Sequence, residues 1–187
     1  MAVTPSSMLP LGTRAPDFTL ADTVSGQPVS LADGKGHAAT VVMFLCNHCP
    51  FVLHVLDGLV DLAREYGDRG VRFIAISSND VTTHPQDGPD RMAVLARERD
   101  FPFPYLYDES QAVARAFQAA CTPDFFAFDG DLELAYRGRM DDATPGNNRP
   151  VTGADLRAAL DAVLVGKPVD ADQTPSMGCN IKWKAEG

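Results

Sequence analysis

Two thiols one helical turn apart, Cys46 and Cys49 in Cys46-Asn47-His48-Cys49, are the side chains of this sequence best placed to do chemistry. Cysteines at this spacing can cycle between dithiol and disulfide, or hold half of a tetrahedral metal site. The surroundings favour the first. The preceding run, Thr40-Val41-Val42-Met43-Phe44-Leu45, is apolar and rich in β-branched residues, and reads as a central strand. After Cys49, the residues Val52, Val55, Leu56, Leu59, Val60 and Leu62 recur at helical spacing up to Gly67. A strand, a tight turn and a helix put both sulfurs at a helix N-terminus. There the unsatisfied N–H groups and the positive end of the dipole favour a thiolate. A zinc ribbon would need a second Cys-x-x-Cys knuckle, and Cys121 and Cys179 stand alone.

Two neighbours bear on these thiols. His48 lies between them, and a protonated ring or ring N–H beside Cys46 would favour its thiolate; a side chain turned to solvent is the alternative. Pro50 is comfortable only in the first turn of a helix, which sets the expected helix start near Asn47 or His48.

The elements that must position the motif follow from periodicity. Phe18–Leu20 and Val29–Leu31, separated by Val24-Ser25-Gly26-Gln27-Pro28, form an expected hairpin. Val71–Ser77 is a second buried strand, Asp90–Asp100 a helix, Tyr105–Tyr107 a short strand and Gln111–Ala119 a further helix. Phe125–Phe128 and Glu133–Arg139 make an antiparallel pair around Asp129-Gly130-Asp131. Thr152 with Asp155 is expected to cap a last helix that Gly166 ends near Val165. This order implies a mixed sheet with helices on both faces. We expect one domain over residues 1–187, with a core at about 12–166 and a tail, 167–187, anchored by Trp183. Cys179 in that tail reads as packing, with a resolving thiol as the alternative.

Composition narrows the class. A chain of 187 residues with 45% apolar and 22% charged residues has ordinary globular usage. A net charge of −9 and a pI near 4.7 argue against nucleic acid and anionic membranes as partners. No run approaches the length of a membrane span, and Met1–Gly12 lacks the cationic start and apolar stretch of a secretory leader. A cytoplasmic address is therefore expected, where thiols stay largely reduced.

Five segments together carry a family resemblance. They are Ala15-Pro16-Asp17-Phe18-Thr19-Leu20, Phe44-Leu45-Cys46-Asn47-His48-Cys49-Pro50, Cys121-Thr122-Pro123-Asp124-Phe125-Phe126, Tyr136-Arg137-Gly138-Arg139 and Gly178-Cys179-Asn180-Ile181-Lys182-Trp183-Lys184. In this order the chain resembles the peroxiredoxin-like branch of the alkyl hydroperoxide reductase/thiol-specific antioxidant (redoxin) superfamily. The resemblance implies an α/β fold: a thioredoxin-like three-layer α/β/α sandwich with a mixed central sheet and an N-terminal β-hairpin. It makes Cys46 the exposed nucleophile and Cys49 the more buried resolving thiol, supported by Asn47 and His48. It also implies a cis Pro123 opposite the motif, with Thr122 offering its backbone to an extended substrate strand, a short β-augmentation. Cys121, two residues earlier, is then a possible third thiol, although alternation along an extended segment favours the core. Two departures stand out. Leu45 replaces the Trp of thioredoxins, and no acid lies between Ala38 and Leu45 to take the Cys49 proton.

The expected activity is thiol–disulfide exchange through a mixed disulfide, with no cofactor. The expected partners are protein or small-molecule disulfides and a thiol electron donor, either a reductase system or a low-molecular-weight thiol. A thiol peroxidase is the main rival. Peroxiredoxins place Pro and Thr seven and three residues before the reactive cysteine; from Cys46 those positions hold Ala39 and Met43, and from Cys49 Val42 and Cys46. Arg137 or Arg139 could approach the site, although exposed arginines on a late strand are more often simple surface charges. A third class is a metal carrier binding a soft ion through Cys46, His48, Cys49 and Cys121. Met43 and Met140 read as core. The loops Gly138–Asp142 and Pro145–Asn148 are offered as site lining.

Overall fold

The structure, a computed structural model, describes residues 3–185; the outer ends of the expected 1–187 domain (Met1, Ala2, Glu186 and Gly187) lie outside the described residues. In chain order the elements are β1 (Val3–Pro5), β2 (Thr19–Asp22), β3 (Pro28–Ser30), α1 (Leu31–Gly34), β4 (Ala39–Phe44), α2 (Pro50–Gly67) and β5 (Val71–Ser77). A 3-10 turn at Pro85–Asp87 precedes α3 (Pro89–Glu98), β6 (Tyr105–Tyr107), α4 (Ala112–Ala116), β7 (Cys121–Thr122), β8 (Asp124–Asp129), β9 (Leu134–Gly138), α5 (Ala154–Leu164) and β10 (Met177–Asn180).

Strand β4 is buried along its whole length and lies inside a seven-stranded sheet of order β3-β2-β6-β5-β4-β8-β9. It pairs parallel with β5 and antiparallel with β8, so the sheet is mixed, as expected. Strand residues alternate between faces. Val41 and Met43 therefore join α2, α3 and α5 in one apolar cluster, while Val42 and Phe44 meet Leu31, Ala114, Phe117 and Phe126 in the other. Helices cover both faces of the sheet, the expected three layers, and β2–β3 is the expected hairpin.

Three expectations need correction. Helix α4 stops at Ala116 rather than Ala119, because Gln118 takes a left-handed backbone. The N-cap of α5 is Gly153 rather than Thr152, and the carboxylate of Asp141 accepts from the N–H groups of Thr152 and Gly153 in place of the capping box. The tail forms a strand: β10 lies between β1 and β7 in a second sheet, of three strands. It is anchored by buried Cys179 and Ile181, whereas Trp183 is partly exposed beneath the guanidinium of Arg115.

Arg137 is a further correction. It is buried opposite Phe126 in the β8–β9 register, not on the surface. Its Nη2 lies 3.2 Å from Asp124 Oδ2 and donates to Gln118 O, its Nη1 donates to Phe117 O, and its guanidinium stacks 4.2 Å from the Phe126 ring centroid. Burial outweighs this pairing and pushes the Asp124 carboxyl up to about 6 from 3.8. A raised carboxyl binds a proton in the folded chain that the unfolded chain has released, so its contribution to stability falls as pH rises from 3.8 to about 6. Asp124→Asn should flatten that segment of the stability–pH curve relative to wild type; an unchanged slope would remove Asp124 as its source. Arg137→Met leaves a buried carboxylate unpaired, and urea denaturation at neutral pH should read a loss of about 3–5 kcal/mol. A loss below about 1 kcal/mol would place this pair with exposed ion pairs.

Candidate active site

Pro50 has no N–H to give and occupies the first position of α2, so the residue before it, Cys49, is the N-cap. The helix begins two to three residues later than the sequence suggests, and this moves the favoured thiolate position from Cys46 to Cys49. The Thr122–Pro123 peptide is cis, and Thr122 meets both cysteines. Its hydroxyl lies 3.3 Å from Cys46 Sγ, and its carbonyl oxygen 3.1 Å from Cys49 Sγ. Cys179 Sγ approaches Cys49 Sγ to 2.9 Å. All four cysteines are thiols, and all are buried. The expected exposure of Cys46 is thus not found: it is 1% accessible beneath its own turn.

Hydrogen bonding divides the two sulfurs. Donation from Cys46, and then from Cys179, pulls the Cys49 thiol down against its burial. Cys46 goes the other way: its bond to Cys49, its burial and the negative charge of Asp87 all push it up. The first ionisation of the pair therefore falls on Cys49, and the second, at Cys46, is the harder. One hydrogen bond opposes this: as a thiol, Cys49 donates its single proton, to Thr122 O or to Cys179 Sγ, and a thiolate loses that bond. Two thiol donors to a charged sulfur at a helix N-terminus outweigh one neutral bond, since charge-assisted bonds are about twice as strong.

Asp87 is the residue sequence reasoning missed. It is fully buried at the end of the 3-10 turn, far along the chain from the motif. Its Oδ1 accepts from Asn47 N at 2.8 Å, and its Oδ2 accepts from Asn79 Nδ2 at 2.8 Å. The Asn47 side chain adds a bond to Gln86 O and receives one from Tyr105 Oη. The turn is therefore fastened to the 3-10 segment at several points. The only signal in the sequence is the pair of prolines, Pro85 and Pro89, that stiffens the chain around this acid.

His48 stands beside both Asp87 and Cys46, a ring nitrogen within 4.8 Å of each. Its Nδ1 lies 2.7 Å from Asp87 Oδ2, a close contact without the alignment of a hydrogen bond, and its ring stacks on His84 with centroids 5.2 Å apart. Among the described residues, the set whose donor atoms converge within 4.8 Å, as a metal would need, is Cys46, His48 and Asp87; Cys49 and Cys121 are not part of it. Cys121 directs its Sγ to Pro123 O at 3.6 Å, inside the core, and burial pushes its thiol up.

The edge expected to receive a substrate strand is already occupied. β10 pairs antiparallel with β7, with Cys179 opposite Thr122. A Cβ on Gly178 would fall 1.9 Å from Thr122 O, so only glycine permits so close an approach. Beside the motif an apolar cleft opens between Phe51, Pro123, Phe125, Met140 and Met177, and residues 139–144 border it. That places the Gly138–Asp142 loop at the cleft, whereas Pro145–Asn148 is not among its lining. Arg139 reaches the cleft's edge but is bonded to Asp155.

The charge of Asp87 yields a test. In a Cys49→Ser background, which removes the motif's other thiol, Asp87→Asn should lower the pH at which Cys46 becomes reactive to iodoacetamide, read from its labelled peptide. An unchanged midpoint would mean that Asp87 holds the turn without acting on the thiol.

The sequence over residues 11–137 matches the AhpC/TSA family. A solved structure of an uncharacterized conserved protein from Geobacillus kaustophilus is similar over 100% of this chain and 99% of its own, with 55% identity and a TM-score of 0.98. A hypothetical protein of Sinorhizobium meliloti 1021 is similar over 98% of this chain and 100% of its own, at 48% identity and a TM-score of 0.95. Peroxidoxin BcpB of Mycobacterium tuberculosis shares the fold at 22% identity, covering 83% of this chain and 96% of its own, with a TM-score of 0.61. The fold is thioredoxin-like. No curated protein matches the chain. No helix among the described residues is long and apolar enough to cross a membrane.

Proposed function

The chain belongs to the AhpC/TSA family, and from that premise we propose that it is a thiol–disulfide oxidoreductase working through Cys46 and Cys49. The observation that carries this reading is a pair of buried thiols, Cys49 at the N-cap of an 18-residue helix and Cys46 three residues before it, both in contact with Thr122. Cys46 passes its proton to the Cys49 thiolate and attacks a substrate disulfide. A sulfur–sulfur bond forms to Cys46 as the substrate bond breaks, and the departing thiolate takes a proton. Cys49, deprotonated, then attacks Cys46 Sγ; the intramolecular disulfide forms and the second substrate thiol leaves. A thiol donor restores the dithiol, and a reducing compartment such as the cytoplasm suits the cycle.

The cleft beside Phe51 and Pro123 supports an apolar residue of the substrate next to its disulfide. Burial of both sulfurs and the occupied β7 edge favour a small or flexible disulfide over a strand added to the sheet. The two arginines weighed for a peroxide site are engaged elsewhere. Arg137 is bonded to Asp124 and Arg139 to Asp155, so neither guanidinium is directed at a sulfur.

Insulin disulfide reduction by the reduced protein, beside a hydrogen peroxide consumption assay, tests the assignment. Cys46→Ser should abolish reduction, and Cys49→Ser should accumulate the mixed disulfide. Rapid, cysteine-dependent peroxide loss without insulin reduction would replace this reading with a peroxidase.

A further inference from the structure

Cys49 lies between two sulfurs. Cys46 precedes it by three residues within the motif, and Cys179 reaches it from the tail strand at 2.9 Å, against about 2.05 Å for a bonded pair. The tail is not a loose terminus brought there by chance. β10 is paired on one side with β7 and on the other with β1, which sets Cys179 opposite both Thr122 and Val3. Just before the strand, Ser176 Oγ donates to Pro123 O at 2.6 Å, and the Ser6 and Ser176 backbones bond to each other's residues. Just after it, Ile181 N bonds Ala120 O, Asp80 N bonds Lys182 O, and Lys182 N bonds Asn79 Oδ1, the same asparagine that donates to Asp87. A side chain so placed has little freedom to lose on meeting its neighbour.

We propose that Cys179 is a third redox thiol, which takes Cys49 from the Cys46–Cys49 disulfide. The step rests on the dithiol chemistry proposed above. Cys179, as thiolate, attacks Cys49 Sγ; the Cys49–Cys179 bond forms, the Cys46–Cys49 bond breaks, and the electron pair leaves on Cys46. Cys46 takes up the proton that Cys179 gave. The exchange is internal, so no further oxidant or reductant enters: the oxidising equivalents are those already received from the substrate disulfide. Its product keeps the disulfide under the tail and returns Cys46 as a thiol while the protein is still oxidised. The β10 strand thus occupies the position expected for an extended substrate, and carries a cysteine to the motif as a substrate would. Cys121 takes no part, since its sulfur is directed to Pro123 O.

The test is disulfide mapping of the full chain. Wild type, Cys46→Ser, Cys49→Ser, Cys121→Ser and Cys179→Ser are oxidised with diamide, alkylated, digested with trypsin and analysed by mass spectrometry. Cys46 and Cys49 share one tryptic peptide, so a Cys49–Cys179 bond appears as a link to a second peptide. The link should be present in wild type, be the major linked species in Cys46→Ser, persist in Cys121→Ser, and vanish in Cys49→Ser and Cys179→Ser. Wild type and Cys46→Ser decide the question even where Cys179→Ser is too unstable to study. If wild type forms only the internal Cys46–Cys49 bond, and Cys46→Ser leaves Cys49 and Cys179 both alkylated, the proposal is overturned. Insulin reduction by reduced, unalkylated wild type from the same preparation separates the two readings. Reduction with no link rejects the third thiol alone, whereas a link without reduction rejects the reductase activity while upholding the Cys49–Cys179 pair.

Discussion

A proline that cannot donate an N–H fixes where α2 begins, and much of the site's chemistry depends on that. With Pro50 at the first helical position, Cys49 is the cap and Cys46 is outside the helix altogether. The two thiols of one motif therefore experience different fields. Cys49 faces the N-terminal end of an 18-residue helix, with S–H donors on two sides. Cys46 faces a hydroxyl and a buried carboxylate. An asymmetry that spacing alone cannot supply follows from one residue's missing hydrogen.

Asp87 works against Cys46 while holding the turn that carries it. A buried carboxylate needs partners, and it finds them in Asn47 N, the Asn79 amide and the contact with His48. Those bonds keep the turn closed over the sulfurs. The same negative charge disfavours a thiolate at Cys46, so the reduced motif favours its charge on Cys49. Asn79 extends the arrangement by accepting from Lys182 N. The motif, the 3-10 turn and the tail thus form one hydrogen-bonded unit.

Legibility in the sequence followed contact distance along the chain. The strands at 39–44, 71–77 and 105–107 and helix α2 were readable because period-2 and period-3.6 patterns are local. The motif was readable for the same reason, and the cis Pro123 through resemblance. What could not be read depends on pairing between distant segments. β1, β7 and β10 are two to four residues each, too short for any period, and exist because they pair with one another. Arg137 looked like a surface charge since nothing nearby in sequence announces Asp124 or the carbonyls of α4's end. Cys179 looked like packing because its neighbours in sequence are tail residues, whereas its neighbour in space is Cys49.

The tail also closes the β7 edge. An incoming strand would compete with β10 for Thr122, and would have to displace a segment held by β1, Ser176 and Lys182 together. Each of those backbone and side-chain bonds contributes only about 0.5–1.5 kcal/mol, yet breaking them all at once costs several times that. Cys46 lies instead beneath the Asn47–His48 turn, which three bonds of Asn47, to Asp87, Gln86 and Tyr105, tie down. Both residues of that turn are partly exposed, and His48 is held by a contact without good hydrogen-bond alignment. Opening that turn breaks fewer bonds than displacing the tail and leaves Cys49 between its two sulfur neighbours, as the proposed attack by Cys46 requires.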